Sequence, residues 1–272
     1  MEGASNIKPM KTSLLIIIFL LNSFLMNAQK KPVQVTLDCY FNQEVRTNPD
    51  GKPERFHYIW EETAMQGFSL FGSMFTQSGA KLSSLEAAPT KKNLKNTDIF
   101  IIVDPDNLKD NTTPNRIEKS HAEAVKDWVS NGGVLVLMGN DSVNCDLAGL
   151  NKLANIFGIS FSNLSRNMVQ GNEFATGAVI LSEENELFKS AKKAYLKEVS
   201  ILEVKQPAKA VISKNNEVVM AVSKYGKGTV FAVGDPWLYN EYVDGTKIPA
   251  EYENFLAGTE LAKWLIELAK RN

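Results

Sequence analysis

The chain has 272 residues, 44% of them hydrophobic and 22% charged, with a formal net charge of −1. This is ordinary globular composition, with enough apolar material for one large domain or two small ones. It carries no lysine-rich tail, no internal repeat and no electrostatic footprint for nucleic acid.

The N-terminal segment reads as a leader. Lys8 and Lys11 precede an apolar run beginning at Leu14 and ending at Leu21, and Ala28 stands just before Gln29. A basic start, a short apolar run and a small residue before the cut define a secretory signal. The run is short and interrupted for a membrane span. The expectation is a signal peptide over residues 1–28 and one α/β domain over residues 29–272. The mature chain is then exported, periplasmic or secreted, and free of the membrane. Met26 is bulky for its place two before Ala28, and a retained anchor is the alternative. Cys39 and Cys145 give no disulfide framework and read as separate buried thiols.

Residues 33–38 open the domain as a strand, and residues 48–53 form a turn cluster. A dense aromatic and charged stretch follows, with Arg55, Phe56, His57, Tyr58 and Trp60. The spacing of Phe68, Phe71, Met74 and Phe75 predicts a helix from about Thr63 to Gln77. Residues 81–85 make a short strand, and Thr90 can cap a short helix. A buried strand over residues 98–103 ends in Asp104-Pro105-Asp106-Asn107. Ile117, His121, Ala124, Val125, Trp128 and Val129 recur at helical spacing, and Asn131-Gly132-Gly133 stops that helix. The unbroken apolar run Val134-Leu135-Val136-Leu137-Met138 is a strand covered on both faces, ending in Gly139-Asn140-Asp141. A helix near residues 150–157 closes at Gly158. Residues from about 159 to 206 read as an insertion on the sheet edge. A hairpin turns at Asn215-Asn216. Residues 229–233 form a last buried strand, which ends in Gly234-Asp235-Pro236-Trp237, and a helix over about residues 252–269 finishes the chain. Strands alternating with helices predict a three-layer α/β fold on a mostly parallel sheet.

Three buried strands thus end in polar groups: Asp104 and Asp106, then Asn140 and Asp141, then Asp235 with Trp237 and Tyr239. In open α/β sheets ligands sit outside the carboxyl ends of the strands, so these residues are candidates for one shared crevice. His57 is a further candidate, with a packed aromatic cluster as its alternative; His121 reads as structural. Carboxylates, amides and flat aromatic faces suit a sugar, or an oxygen-ligated Ca²⁺. Turn and capping roles are the alternative for each Asp and Asn. The sequence holds no His/Cys metal spacing, no Gly-x-Ser-x-Gly and no phosphate loop, so no cofactor is expected.

The segments 51–60, 98–106, 132–141 and 226–242 together resemble a class I glutamine amidotransferase-like domain. The version in question is associated with secreted carbohydrate-degrading systems, next to unsaturated rhamnogalacturonyl hydrolases. The resemblance spans nearly the whole mature chain. It implies a flavodoxin-like sheet and a role in breaking down pectin or rhamnogalacturonan-type, uronic-acid-containing polysaccharide. The amidotransferase triad is absent: the turn that would hold the nucleophilic Cys reads Gly139-Asn140-Asp141, and the place of the His reads Asp235-Pro236-Trp237. A thiol without its base is not an activated nucleophile, so Cys145 does not replace it. The expectation is a carbohydrate-binding or accessory protein whose partner is an oligosaccharide or a polysaccharide-degrading enzyme. Two alternatives stay open: a glycoside hydrolase using two strand-end aspartates as acid and base, and a structural scaffold.

Overall fold

The computed structural model of the protein describes Met1, Gly3 and residues 31–181 and 185–271. Nearly all of the expected leader lies outside the described residues. Among the described residues no helix is long and apolar enough to cross a membrane.

Five strands run parallel: β1 (Gln34–Asp38), β4 (Lys81–Leu85), β5 (Ile99–Val103), β6 (Val134–Met138) and β13 (Gly228–Val233). Their spatial order is β4-β1-β5-β6-β13. The chain therefore reverses its direction of winding between β1 and β5, where a ligand crevice is expected in an open α/β sheet. Val103 pairs with Met138 and Met138 with Val233, so the three central strands end flush.

The uninterrupted apolar runs follow from having two covered faces. Ile99, Ile101, Val103, Val134, Val136, Met138, Phe231 and Val233 point into one core. There they meet α1 (Ser69–Gln77) and the terminal helix α5 (Asn254–Arg271). Phe100, Ile102, Leu135, Leu137, Val230 and Ala232 point into the other. That core is covered by α2 (Lys119–Ser130) and α3 (Leu147–Ala154). Each such side chain taken fully out of water stabilises the fold by roughly 1.5–3 kcal/mol before entropy is counted. The expected three-layer α/β architecture is what the chain forms.

The edge insertion is also present. β7 (Ile159–Arg166) and β10 (Val199–Val204) extend the main sheet antiparallel, and β8 (Ala178–Ile180) pairs with β9 (Lys193–Tyr195) apart from it. β11 (Ala208–Lys214) and β12 (Glu217–Tyr225) form the expected hairpin, with β12 passing on to β13. Asn215 and Asn216 both take positive φ, 51° and 66°, as a two-residue hairpin turn of mirror type requires. A small ribbon, β2 (Val45–Thr47) with β3 (Pro53–Arg55), stands off the sheet.

Two expectations shift. The first helix begins at Ser69 rather than near Thr63, and residues after Thr90 form turns, with Thr90 Oγ1 accepting from the Asn93 N–H at 3.2 Å. His121 is structural, as expected: its Nδ1 accepts from the Glu118 N–H at the start of α2, and its ring lies against Tyr40 and Phe41.

Gly234 explains how the insertion reaches the carboxyl edge. A Cβ there would sit 1.9 Å from the Ser200 carbonyl oxygen. Without a side chain, the end of β13 and the start of β10 come close enough for the Ser200 N–H to donate to the Gly234 carbonyl at 2.9 Å. Lys197 and Glu198, just before β10, are thereby delivered to the ends of the parallel strands.

Candidate functional site

A cleft of about 240 Å³ opens at the carboxyl edge of the parallel strands. The segment after β1 contributes Glu44, and the loop before α1 contributes His57, Tyr58 and Gln66. Asp104 and Asp110 follow β5, and Asn140 and Asn144 follow β6. Lys197 and Glu198 come from the insertion, and Tyr239, Glu241 and Tyr242 follow β13. The volume lies below the roughly 300–1,000 Å³ of drug-sized pockets, so it suits a ligand of about one ring.

Four of the sequence candidates meet here. Asp104 is 4% exposed, and its Oδ2 accepts from Asn140 Nδ2 at 3.0 Å. Burial pushes its carboxyl up to about 7, against the opposing pull of Asn140 and of the nearby His57. The Asn140 Oδ1 accepts from the Asp141 N–H at 2.8 Å, which fixes the amide with its nitrogen toward Asp104. His57 is held by its Nδ1 against Glu44 Oε1 and by its ring, stacked between Phe56 at 5.6 Å and Tyr58 at 3.9 Å. Burial opposes a charge on that ring, but the Glu44 hydrogen bond, together with the Glu44, Asp104 and Glu62 charges, outweighs it and raises the pKa. The Tyr239 hydroxyl donates to Asp235 Oδ1 at 3.0 Å, with its ring 5.4 Å from Tyr58 and 4.9 Å from Tyr242.

The other four do not line the cleft. Asp106 anchors loops: its Oδ2 accepts from the Gln43 N–H and from Asn111 Nδ2. Asp141 caps its own turn, Oδ1 accepting from the N–H groups of Val143 and Asn144 and from Asn144 Nδ2. Asp235 is fully buried behind the cleft, where it fixes Tyr239 and accepts from the Lys197 N–H at 2.9 Å. Trp237, expected in the shared crevice, is 0% exposed and packs in the core near Phe188. Asp and Asn side chains bond readily to backbone two or three residues on, and that local chemistry takes Asp141 out of the site.

Sequence reasoning passed over Glu44, Gln66, Asp110, Asn144, Lys197, Glu198 and Glu241. They come from loops far apart in the chain, and no local pattern marks them. Backbone strain does mark the site. Among the described residues seven non-glycine positions have positive φ, and four of them, His57, Tyr58, Asp104 and Glu198, line this cleft. Each such residue costs of order 1–3 kcal/mol unless its surroundings enforce it, and such strain gathers at ligand clamps.

Neither thiol takes part. Cys39 and Cys145 are free and buried, at 2% and 3% exposure. Burial pushes Cys145 well above the usual thiol range, with the Asp104 charge adding to it, and pushes Cys39 to about 12. A protonated thiol is not a nucleophile. Among the described residues no group of three His, Cys, Asp or Glu side chains is arranged to hold a metal ion.

No family model matches the chain, and neither does any curated protein. Solved structures do resemble it. An N-terminal domain described as mmIFT52 shares 18% identity at a TM-score of 0.62, over 85% of this chain and 96% of that one. The cytoplasmic protein STM1381 from Salmonella typhimurium LT2 shares 17% identity at a TM-score of 0.54, over 87% of this chain and 98% of that one. At these identities the likeness is one of fold alone. A β-galactosidase from Bacillus circulans sp. alkalophilus matches at a TM-score of only 0.45 over 28% of its own length, which carries no argument.

Proposed function

We propose that this is an exported, carbohydrate-binding accessory protein of polysaccharide breakdown, and that the cleft between the ends of β1, β5, β6 and β13 is its ligand site. The observation that carries the reading is the make-up of the wall. Carboxylates, amides and one lysine supply acceptors and donors for hydroxyls, and the half-buried Tyr239 and Tyr242 supply apolar faces. That mixture matches a sugar ring, polar at its edge and apolar on its face. Strained backbone and second-layer bonds such as Asp235 to Tyr239 hold these groups in advance of any ligand.

The resemblance implies uronic acids, but Glu44, Asp104, Asp110, Glu198 and Glu241 face the cleft against Lys197 and His57. Like charge opposes a carboxylate ligand, so a neutral or basic saccharide fits better. The hydrolase reading also weakens, because Asp106 and Asp141 are spent on turns and Asp235 lies behind the site.

The test is a binding screen of the purified protein against short neutral, acidic and basic oligosaccharides, read by ligand-observed NMR. Binding should appear and should weaken on the order of tenfold in Tyr239→Ala, where a ring face is lost. No saccharide binding, from a variant-independent baseline, would remove the proposal.

A further inference from the structure

The polar bonding of the cleft is unbalanced in one direction. Among the described residues seven buried side-chain polar atoms lack a hydrogen-bond partner, and five are oxygens at the ends of β1 and β5 or in the loops beyond them. Two of these, Asp104 Oδ1 and Asp110 Oδ2, belong to residues that line the cleft. Buried acceptors in native proteins are almost always satisfied, so unsatisfied ones need a reason.

The ion pairs single out the same two residues. Glu44 is matched by His57, Glu198 by Lys197 at 3.0 Å, and Glu241 by Lys247 at 3.4 Å from outside the cleft. Among the described residues no cation lies within ion-pair distance of Asp104 or Asp110, though His57 draws on both from farther off and Lys109 on Asp110. The Asn140 amide reaches Asp104 on its other oxygen. The Tyr58 hydroxyl and the Cys145 thiol also act on the Asp104 carboxyl as hydrogen-bonding groups, yet its Oδ1 has no partner of good hydrogen-bond geometry. Burial raises the pKa of both carboxyls, with the Glu44 charge adding to it and the pull of His57, and for Asp110 of Lys109, too weak to reverse it. Tyr239 and Tyr242 add ring faces, whose quadrupoles attract cations.

We infer that the cleft takes a protonated primary amine, its N–H donors going to the free oxygens of Asp104 and Asp110. An ammonium has three donors and no acceptor, the complement of what these carboxylates lack. This rests on the cleft being the ligand site. Under the saccharide reading the ligand is an amino sugar with a free amine, while a free polyamine offers the same chemistry from another source.

Calorimetric titration of the purified protein separates these cases with four probes: a glucosamine trimer, its N-acetylated counterpart, cellotriose and spermidine. The expected result is that the glucosamine trimer binds on the order of tenfold or more tighter than the N-acetylated and neutral trimers. Asp104→Asn and Asp110→Asn should each weaken amine binding by a similar factor, and by more than they weaken the neutral trimers, because an amide keeps an acceptor for a hydroxyl but offers an ammonium no charge. Asp110→Asn keeps the test sound if the Asp104 variant misfolds. Spermidine binding without any saccharide binding supports the amine and overturns the saccharide reading. Equal affinity for amine and N-acetylated trimers overturns the amine and leaves the saccharide reading standing. Amine affinity unchanged in both variants overturns the inference, and no binding of any probe overturns both.

Discussion

At the scale of single residues, identity alone left several side chains with two possible roles, and their surroundings chose between them. Trp237 follows a strand end beside Asp235, where an aromatic can face a ligand. Here it lies wholly inside the apolar core, with its ring 6.4 Å from Phe188 and its Nε1 unpartnered. Trp237→Ala should therefore destabilise the fold by about 3–5 kcal/mol. A urea melt would check this, and an unchanged midpoint would mean that the ring is not packed as described. Tyr239, two residues on, is the aromatic that lines the cleft, because Asp235 captures its hydroxyl.

At the scale of elements, the buried strands were legible and the start of α1 was not. Alternate residues of β5 and β6 enter opposite cores, which is why their sequence is apolar throughout. The start of α1 depends on a residue far down the chain. Asn240, in the short helix α4 (Asn240–Val243), accepts from the Leu70 N–H through its Oδ1 at 2.9 Å. Its Nδ2 donates to the Glu62 and Ala64 carbonyls at 3.0 and 2.8 Å. A cap from 170 positions away leaves no mark in the local sequence. Asn240→Ala should leave these groups unpaired and cost about 1–3 kcal/mol. Chemical denaturation measures it, and loss of Tyr239 and Tyr242 order should accompany it, since they flank the same residue.

At the scale of the whole molecule, several buried acids sit where folding raises their pKa. Burial lifts Asp38 and Asp104 to about 7 and Asp106 to about 6, and lifts Asp235 well above its ordinary value. Between the unfolded carboxylate range, about 4, and about 7, the folded state holds more protons than the unfolded one. Stability then falls as pH rises through that window and levels off for Asp38, Asp104 and Asp106 above it. The melting temperature should be higher at pH 5 than at pH 8, by about 5 °C or more. Asp104→Asn should reduce the difference, and a melting temperature that rises from pH 5 to pH 8 would contradict the burial of these groups. The amino-acid sequence by itself determined the three-layer fold, the hairpin at Asn215-Asn216 and the polar ends of three strands. These rest on periodicity and turn chemistry, which are local. Only the tertiary structure decided which polar groups share a cleft. Asp141 bonds to its own turn, Asp106 ties down the Gln43 backbone, and Trp237 turns inward, while Glu44, Asp110 and Glu198 arrive from separate loops. The direction of a side chain after a strand end depends on which backbone N–H groups compete for it. For Asp106 and Asp235 those groups lie on distant parts of the chain, brought close by the sheet order and by crossings such as Gly234 against Ser200.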